Sequence, residues 1–154
     1  LVICLSNATL VQNILSYLKT KITNLELFDK VVIAPVTSIK ELPSQAEIAF
    51  IILDRVEYVD STIDYSRPDM VLDISINVVE KYQPMLLATI NFEDRLNTLI
   101  SHAHSIMDSL KDDRDLGGNA SDLRFIRVEY LYPTREYQLI GVSIMFKVYK
   151  WGNA

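Results

Sequence analysis

The stretch Met70-Val71-Leu72-Asp73-Ile74-Ser75-Ile76-Asn77-Val78 decides the fold class. Successive side chains of a strand point to opposite faces, so Met70, Leu72, Ile74, Ile76 and Val78 share one apolar face. Asp73, Ser75 and Asn77 share the other. The alternation predicts a strand over 70–80, packed on one face and either wet or held against a partner on the other.

Outward from this strand, Asp60 to Asp69 has the composition of a connecting loop, with Ser, Asp and the turn Arg67-Pro68-Asp69. Before it, Ala46 to Val59 reads as a strand that opens on the run Ile48-Ala49-Phe50-Ile51-Ile52-Leu53. It turns polar through Asp54, Arg55 and Glu57, so its far end is expected to project into solvent. Val31 to Val36 is β-rich but contains Pro35, which lacks an N–H and suits a short peripheral strand. From Ser6 to about Lys21, Leu10, Val11, Ile14, Leu15 and Leu18 recur at helical spacing, with Ser6, Asn7 or Thr9 as the N-cap.

Downstream, a helix is expected from Asn91, which would place Glu93 and Asp94 in the first turn, where the helix dipole favours negative charge. Leu96, Leu99, Ile100, Ala103, Ile106, Met107 and Leu110 then form one apolar stripe facing the sheet. Lys111 to Asp122 is a polar loop. Leu123 to Leu131 and Tyr137 to Trp151 alternate around Tyr132-Pro133-Thr134-Arg135-Glu136 and read as a hairpin, with Ile140, Val142, Ile144, Phe146 and Val148 inward. The result is an α+β class: an antiparallel or mixed sheet of four to five strands packed with two main helices, in the order α-β-β-β-α-β-β.

The 154 residues contain no internal repeat, which favours one domain over 1–154 with a core of ordinary size. Hydrophobic residues make up 49% and charged residues 23%, with only 4 Gly and 5 Pro, which excludes collagen-like and largely disordered chains. Lys plus Arg number 15 against 20 Asp plus Glu, and the formal charge of −5 has the wrong sign for a domain that neutralises nucleic-acid phosphates. The one cysteine, Cys4, can form no internal disulfide; it reads as a buried small hydrophobe in a reducing compartment. Leu1 to Leu5 is too short for a span or signal peptide, and the longest later apolar run, Ile48 to Leu53, is far below about 20 residues. A soluble protein with no membrane partner is expected.

No residue set reads as catalytic, cofactor-binding or metal-ligating. His102 and His104 lie two apart on a helix and point in widely different directions, so they cannot share a metal and read as surface histidines. Gly117-Gly118 is followed by Asn119-Ala120-Ser121 rather than Lys-Ser/Thr and preceded by Asp112, Asp113 and Asp115, so a turn is expected there, not a phosphate loop. Asn119-Ala120-Ser121 matches the glycosylation sequon, which means little without a secretion signal. No Ser lies in a Gly-x-Ser-x-Gly setting, and the pair Asp112 and Asp113 reads as solvated loop charge. What stands out is the stretch Asp54 to Asp73, with six acidic and two basic residues around one loop, an ordinary solvated hairpin end or a functional acidic surface.

The element order, the stretch Leu110-Lys111-Asp112-Asp113-Arg114-Asp115-Leu116-Gly117-Gly118-Asn119-Ala120 and the ending Val142-Ser143-Ile144-Met145-Phe146-Lys147-Val148-Tyr149 resemble the tail terminator proteins of tailed bacteriophages, the lambda-like family. As an element pattern the resemblance spans almost the whole chain. It implies an α+β fold and assembly into a homohexameric ring at the head-proximal end of the tail tube. The ring would stop tube polymerisation and offer the head-joining surface, at the tail–neck junction of the virion after assembly in the host cytoplasm. Its partners would be the tail tube protein and a neck or connector protein, with DNA passing through without sequence-specific binding. Arg55, Asp60, Arg67, Arg114 and Asp115 are then the candidate subunit or tail interface residues. Asp60, Asp64 and Asp69 are candidates for an acidic wall lining the DNA path, where Lys or Arg would hold phosphates back. Another neck protein, such as a connector or head-closure ring, competes with this reading, as does a small hydrolase or ligand-binding domain built around a polar pocket.

Overall fold

The computed structural model describes residues 7–34, 46–59, 69–81, 88–133 and 139–151, with only the backbone described at 88–91. Two helices and five strands follow in the order α1 (Asn7–Thr23), β1 (Lys30–Ile33), β2 (Glu47–Val59), β3 (Asp69–Lys81), α2 (Ala88–Lys111), β4 (Asp122–Leu131) and β5 (Leu139–Lys150). The class is α+β with a mixed five-stranded sheet, as the patterning predicts. Cys4, Pro35 and the turn at 134–138 lie outside the described residues.

Spatially the strands run β1-β2-β3-β5-β4. β1 pairs with β2 in parallel over Ile48 to Ile51 only, and so is the short peripheral strand expected. The other pairings are antiparallel, and β5 lies between β3 and β4. Among the described residues, β2 beyond Ile52 therefore has a strand on one side only, while β4 forms the opposite edge.

The alternation of β3 fixes which way the sheet faces. Met70, Leu72, Ile74, Ile76 and Val78 are buried, in one core with Leu10, Ile14, Leu18 and Ile22 of α1 and Leu99, Ala103, Ile106 and Leu110 of α2. Both helices thus cover one face, and β5 adds Ile140, Val142, Ile144, Phe146 and Val148 to it. α1 runs one turn fragment past Lys21 because Ile22 continues its buried stripe.

Two expectations are corrected. The far side of β3 is not wet along its inner half: Ser75, Asn77 and, on β5, Ser143 are only 4%, 8% and 3% exposed, beside a second apolar cluster of Ile48, Phe50 and Val79. Ser and Asn are small enough to be enclosed between large neighbours, so polarity alone misjudged their burial. Helix α2 begins at Ala88, three residues before Asn91, so Glu93 and Asp94 fall in its second turn. Of the residues that extend it, only Ala88 is a strong helix former and Thr89 and Ile90 are β-branched, so intrinsic propensity does not explain the early start.

β2 and β4 each carry a bulge, and the two flank one row of the sheet. The register of β2 shifts between Leu53 and Arg55, that of β4 between Phe125 and Arg127, and Leu53, Ile74, Phe146 and Phe125 are consecutive partners in that row. One extra residue inverts the alternation beyond it. Asp54 thereby sends Arg55 to the far face beside Asp73 and keeps Val56 on the helix face; Ile126 does the same for Arg127 and Val128.

Candidate interaction surface

The outer end of the sheet carries a charge row on its far face. Arg55 Nε donates to Asp73 Oδ2 at 2.9 Å, and Lys147 Nζ lies 3.7 Å from Asp73 Oδ1. Lys147 is the register partner of Arg124, whose Nε donates to Asp122 Oδ2 at 3.0 Å and whose guanidinium stacks 5.1 Å above the Tyr149 ring. Arg114 closes the row, reaching Asp122 Oδ1 at 3.1 Å and the Leu123 carbonyl at 3.1 Å. Arg55 and Arg114, selected from the sequence as interface candidates, are thus joined through side chains on four strands. Both are more than half exposed, and exposed pairs of this kind orient contacts more than they stabilise a fold.

Asp115 is exposed in the loop after α2, where its carbonyl accepts the amides of Gly118 and Ala120. Asp69 opens β3 opposite Val59. Asp60, Asp64 and Arg67 lie outside the described residues.

The loop between α2 and β4 is built, not loose. Leu116, Gly117 and Gly118 all have positive φ, at 48°, 65° and 89°, as a tight turn through two glycines demands. Asp113, expected to be solvated, instead clamps the loop to α1. It accepts hydrogen bonds from the Tyr17 hydroxyl, from Lys21 Nζ at 2.9 Å and, on Oδ1, from the Gly117 amide at 3.0 Å. Burial disfavours its charge, yet these three donors outweigh it and hold the carboxyl down at about 2. The same carboxylate pushes the Tyr17 hydroxyl up. Asp112 stays exposed, as expected.

The two histidines face different surroundings, as their spacing requires. His102 is not an ordinary surface residue: Nδ1 shares a hydrogen bond with Glu47 Oε2, and the edge of the Phe28 ring meets it at 5.7 Å. Glu47 and its register partner Glu80 are both buried on the helix face, and Arg95 forks onto Glu80 at 2.6 and 2.8 Å. Burial pushes the Glu47 carboxyl up, partly offset by His102. Sequence reading missed this quartet because its members are up to 55 residues apart. The one signal was Glu47 at the head of an apolar strand.

His104 instead lines a groove of about 520 Å³ between α2 and β4, with Met107, Leu123 and Phe125 as apolar wall and Lys111, Arg114 and Arg124 against the single carboxylate Asp108. Exposed apolar side chains stand at both edges of the sheet: Tyr58 and Val59 on β2, Ile126 and Tyr130 on β4, with Tyr132 beyond. Among the described residues no group of three or more His, Cys, Asp or Glu side chains could hold a metal, and no helix is long and apolar enough to cross a membrane.

No family model and no curated protein matches the chain. Among solved structures it is similar to a chain from the virion of a native gene transfer agent particle, at 13% identity and a TM-score of 0.43, over 91% of this chain and 90% of that one.

Proposed function

We propose that the chain is a structural virion subunit of a tailed phage, a tail terminator whose hexameric ring caps the head-proximal end of the tail tube. It ends tube polymerisation there and offers the surface to which the neck joins. The observation that carries the reading is the α-β-β-β-α-β-β order in one mixed sheet, the arrangement that the resemblance of the Leu110–Ala120 and Val142–Tyr149 stretches implies. The first of those stretches is a loop fixed by three left-handed residues and the Asp113 clamp, as a motif with a structural purpose should be. The chain works through surfaces in this reading and catalyses no reaction. Arg55, Arg114 and Asp115, with Asp60 and Arg67, contribute to subunit or tail contacts, and Asp60, Asp64 and Asp69 face the DNA path.

Removing the chain from an assembling particle tests this directly. Tails of uncontrolled length without attached heads are expected; tails of normal length on leaking heads would assign the chain to a connector or head-closure ring instead. For the DNA path, replacing Asp60, Asp64 and Asp69 with Lys is expected to leave tail length unchanged and slow genome ejection, more at low salt than at high. Normal ejection at low ionic strength would remove the acidic wall from the reading.

A further inference from the structure

The two lateral edges of the sheet differ in chemistry and meet the same level of the fold. At the β2 edge, Asp54 and Glu57 are exposed with no ion-pair partner among the described residues, and Tyr58, on the helix side, is 52% exposed beside Val59. At the β4 edge, also on the helix side, lies the groove of Met107, Leu123 and Phe125, rimmed by Lys111, Arg114 and Arg124 with Asp108 as its one carboxylate. The two bulges bring these features to adjacent rows on opposite sides of the molecule.

We infer that these edges are the two halves of one head-to-tail contact between copies of this chain. Tyr58 of one copy seats in the α2–β4 groove of the next, and its Asp54 and Glu57 meet Lys111 and Arg124 there. Two different patches on opposite sides cannot satisfy each other within one chain, nor by a twofold axis; they form a heterologous contact, which a suitable rotation closes into a ring. The bulges argue for side-chain docking over a continued strand ladder, because an edge interrupted by an extra residue pairs poorly with another backbone. The excess of unpaired acid at the β2 edge and of base around the groove also sets polarity, favouring β2-to-β4 contacts over contacts between two like edges. The inference rests on the ring-forming reading above and names the surfaces that build the ring.

Sedimentation of the purified intact chain from about 1 μM to about 1 mM, a range that spans weak to moderate interfaces, provides the test. Mass above the monomer is expected to grow with concentration. The acid-edge variant D54K/E57K and the base-edge variant K111E/R124E should each associate at least about tenfold more weakly. An equimolar mixture of the two, and the single chain carrying all four changes, should recover the parent's association to within about threefold, a rescue that misfolded variants would not give. Tyr58→Ala, at an exposed site, should weaken association with unchanged circular dichroism. A parent monomeric to about 1 mM, single-edge variants that associate as the parent does, or complementary variants that fail to rescue would each overturn the inference. Tail-length control separates the two readings: a chain found at the tail end but indifferent to these edges closes its ring by other surfaces, whereas head-to-tail association without a place on the tail would refute the terminator reading alone.

Discussion

The inner and outer halves of the long strands differ more than two strands of the same sheet usually do. Around Ile48 to Ile51 and Ile76 to Glu80 both faces are buried, and even the charged residues Glu47 and Glu80 are enclosed and answered from α2. Beyond Leu53 and Ile74 only the helix face is packed, while the far face carries Arg55, Asp73, Lys147 and Arg124 in ion pairs that water can reach. The difference teaches that a continuous ladder can divide its labour along the strand axis. One end is committed to holding the fold and the other is left available for contacts.

The largest effects should come from the committed half. Leu99 and Ile106 are fully buried at the centre of the core, so truncating either to Ala is expected to cost about 2–5 kcal/mol in denaturant unfolding. Losses under about 1 kcal/mol at both sites would break the comparison.

The α2–β4 loop comes next. An alanine Cβ at Gly117 would lie 2.7 Å from the Tyr17 ring, in addition to the left-handed backbone, whereas at Gly118 it would meet nothing within 4 Å. Gly117→Ala should therefore cost about 2–3 kcal/mol and Gly118→Ala about 1 kcal/mol. Equal losses would show that the clamp to α1 adds no constraint.

The Asp113 clamp should give a smaller, pH-dependent effect. A carboxyl held at about 2 in the fold titrates near 3.9 in the unfolded chain, so its contribution is complete above about pH 4 and lost as pH falls toward 2. Asp113→Asn should lower stability at neutral pH and flatten this acid limb of the stability profile. A variant whose acid limb is as steep as the parent's would place that proton uptake on another carboxylate.

The smallest effect belongs to the outer row. Arg55→Ala removes an exposed partner of Asp73 and should change stability by no more than about 0.5 kcal/mol. A loss above about 1.5 kcal/mol would sharpen the comparison the other way, by making the charge row part of the structural half.

Much of this division was legible in the sequence where the cause is local. The period-two set from Met70 to Val78 identified the buried face of β3, the stripe from Leu96 to Leu110 oriented α2, and the fading hydrophobicity after Leu53 predicted the exposed end of β2. What was not legible depends on residues distant in sequence. That β5, and not β4, lies beside β3 is a pairing between segments distant in sequence, although the sparser charge of β5 suits the more enclosed place. The burial of Glu47 required His102 and Arg95 to arrive from a helix, and the clamping of Asp113 required Tyr17, 96 residues away. The candidate surface was legible by residue type but not by arrangement. Arg55 and Arg114 were chosen as separate charges, and only the register shows the row that joins them and the groove beside it.

The position of β5 has a kinetic consequence. Its partners on β3 are between 58 and 80 residues earlier in the chain, from Lys81 with Leu139 to Met70 with Lys150. Contacts so distant close large loops before they return any stabilisation, and chains dominated by them fold slowly. During synthesis the β2–β3 hairpin and both helices can emerge and collapse while the open side of β3, a row of unpaired N–H and C=O groups on a strand rich in apolar side chains, still waits for residues 139–150. For that interval the nascent chain carries an unprotected strand edge of the kind that recruits other chains. Slowing translation before residue 139 should therefore lower the soluble yield of a polypeptide whose finished fold is unchanged.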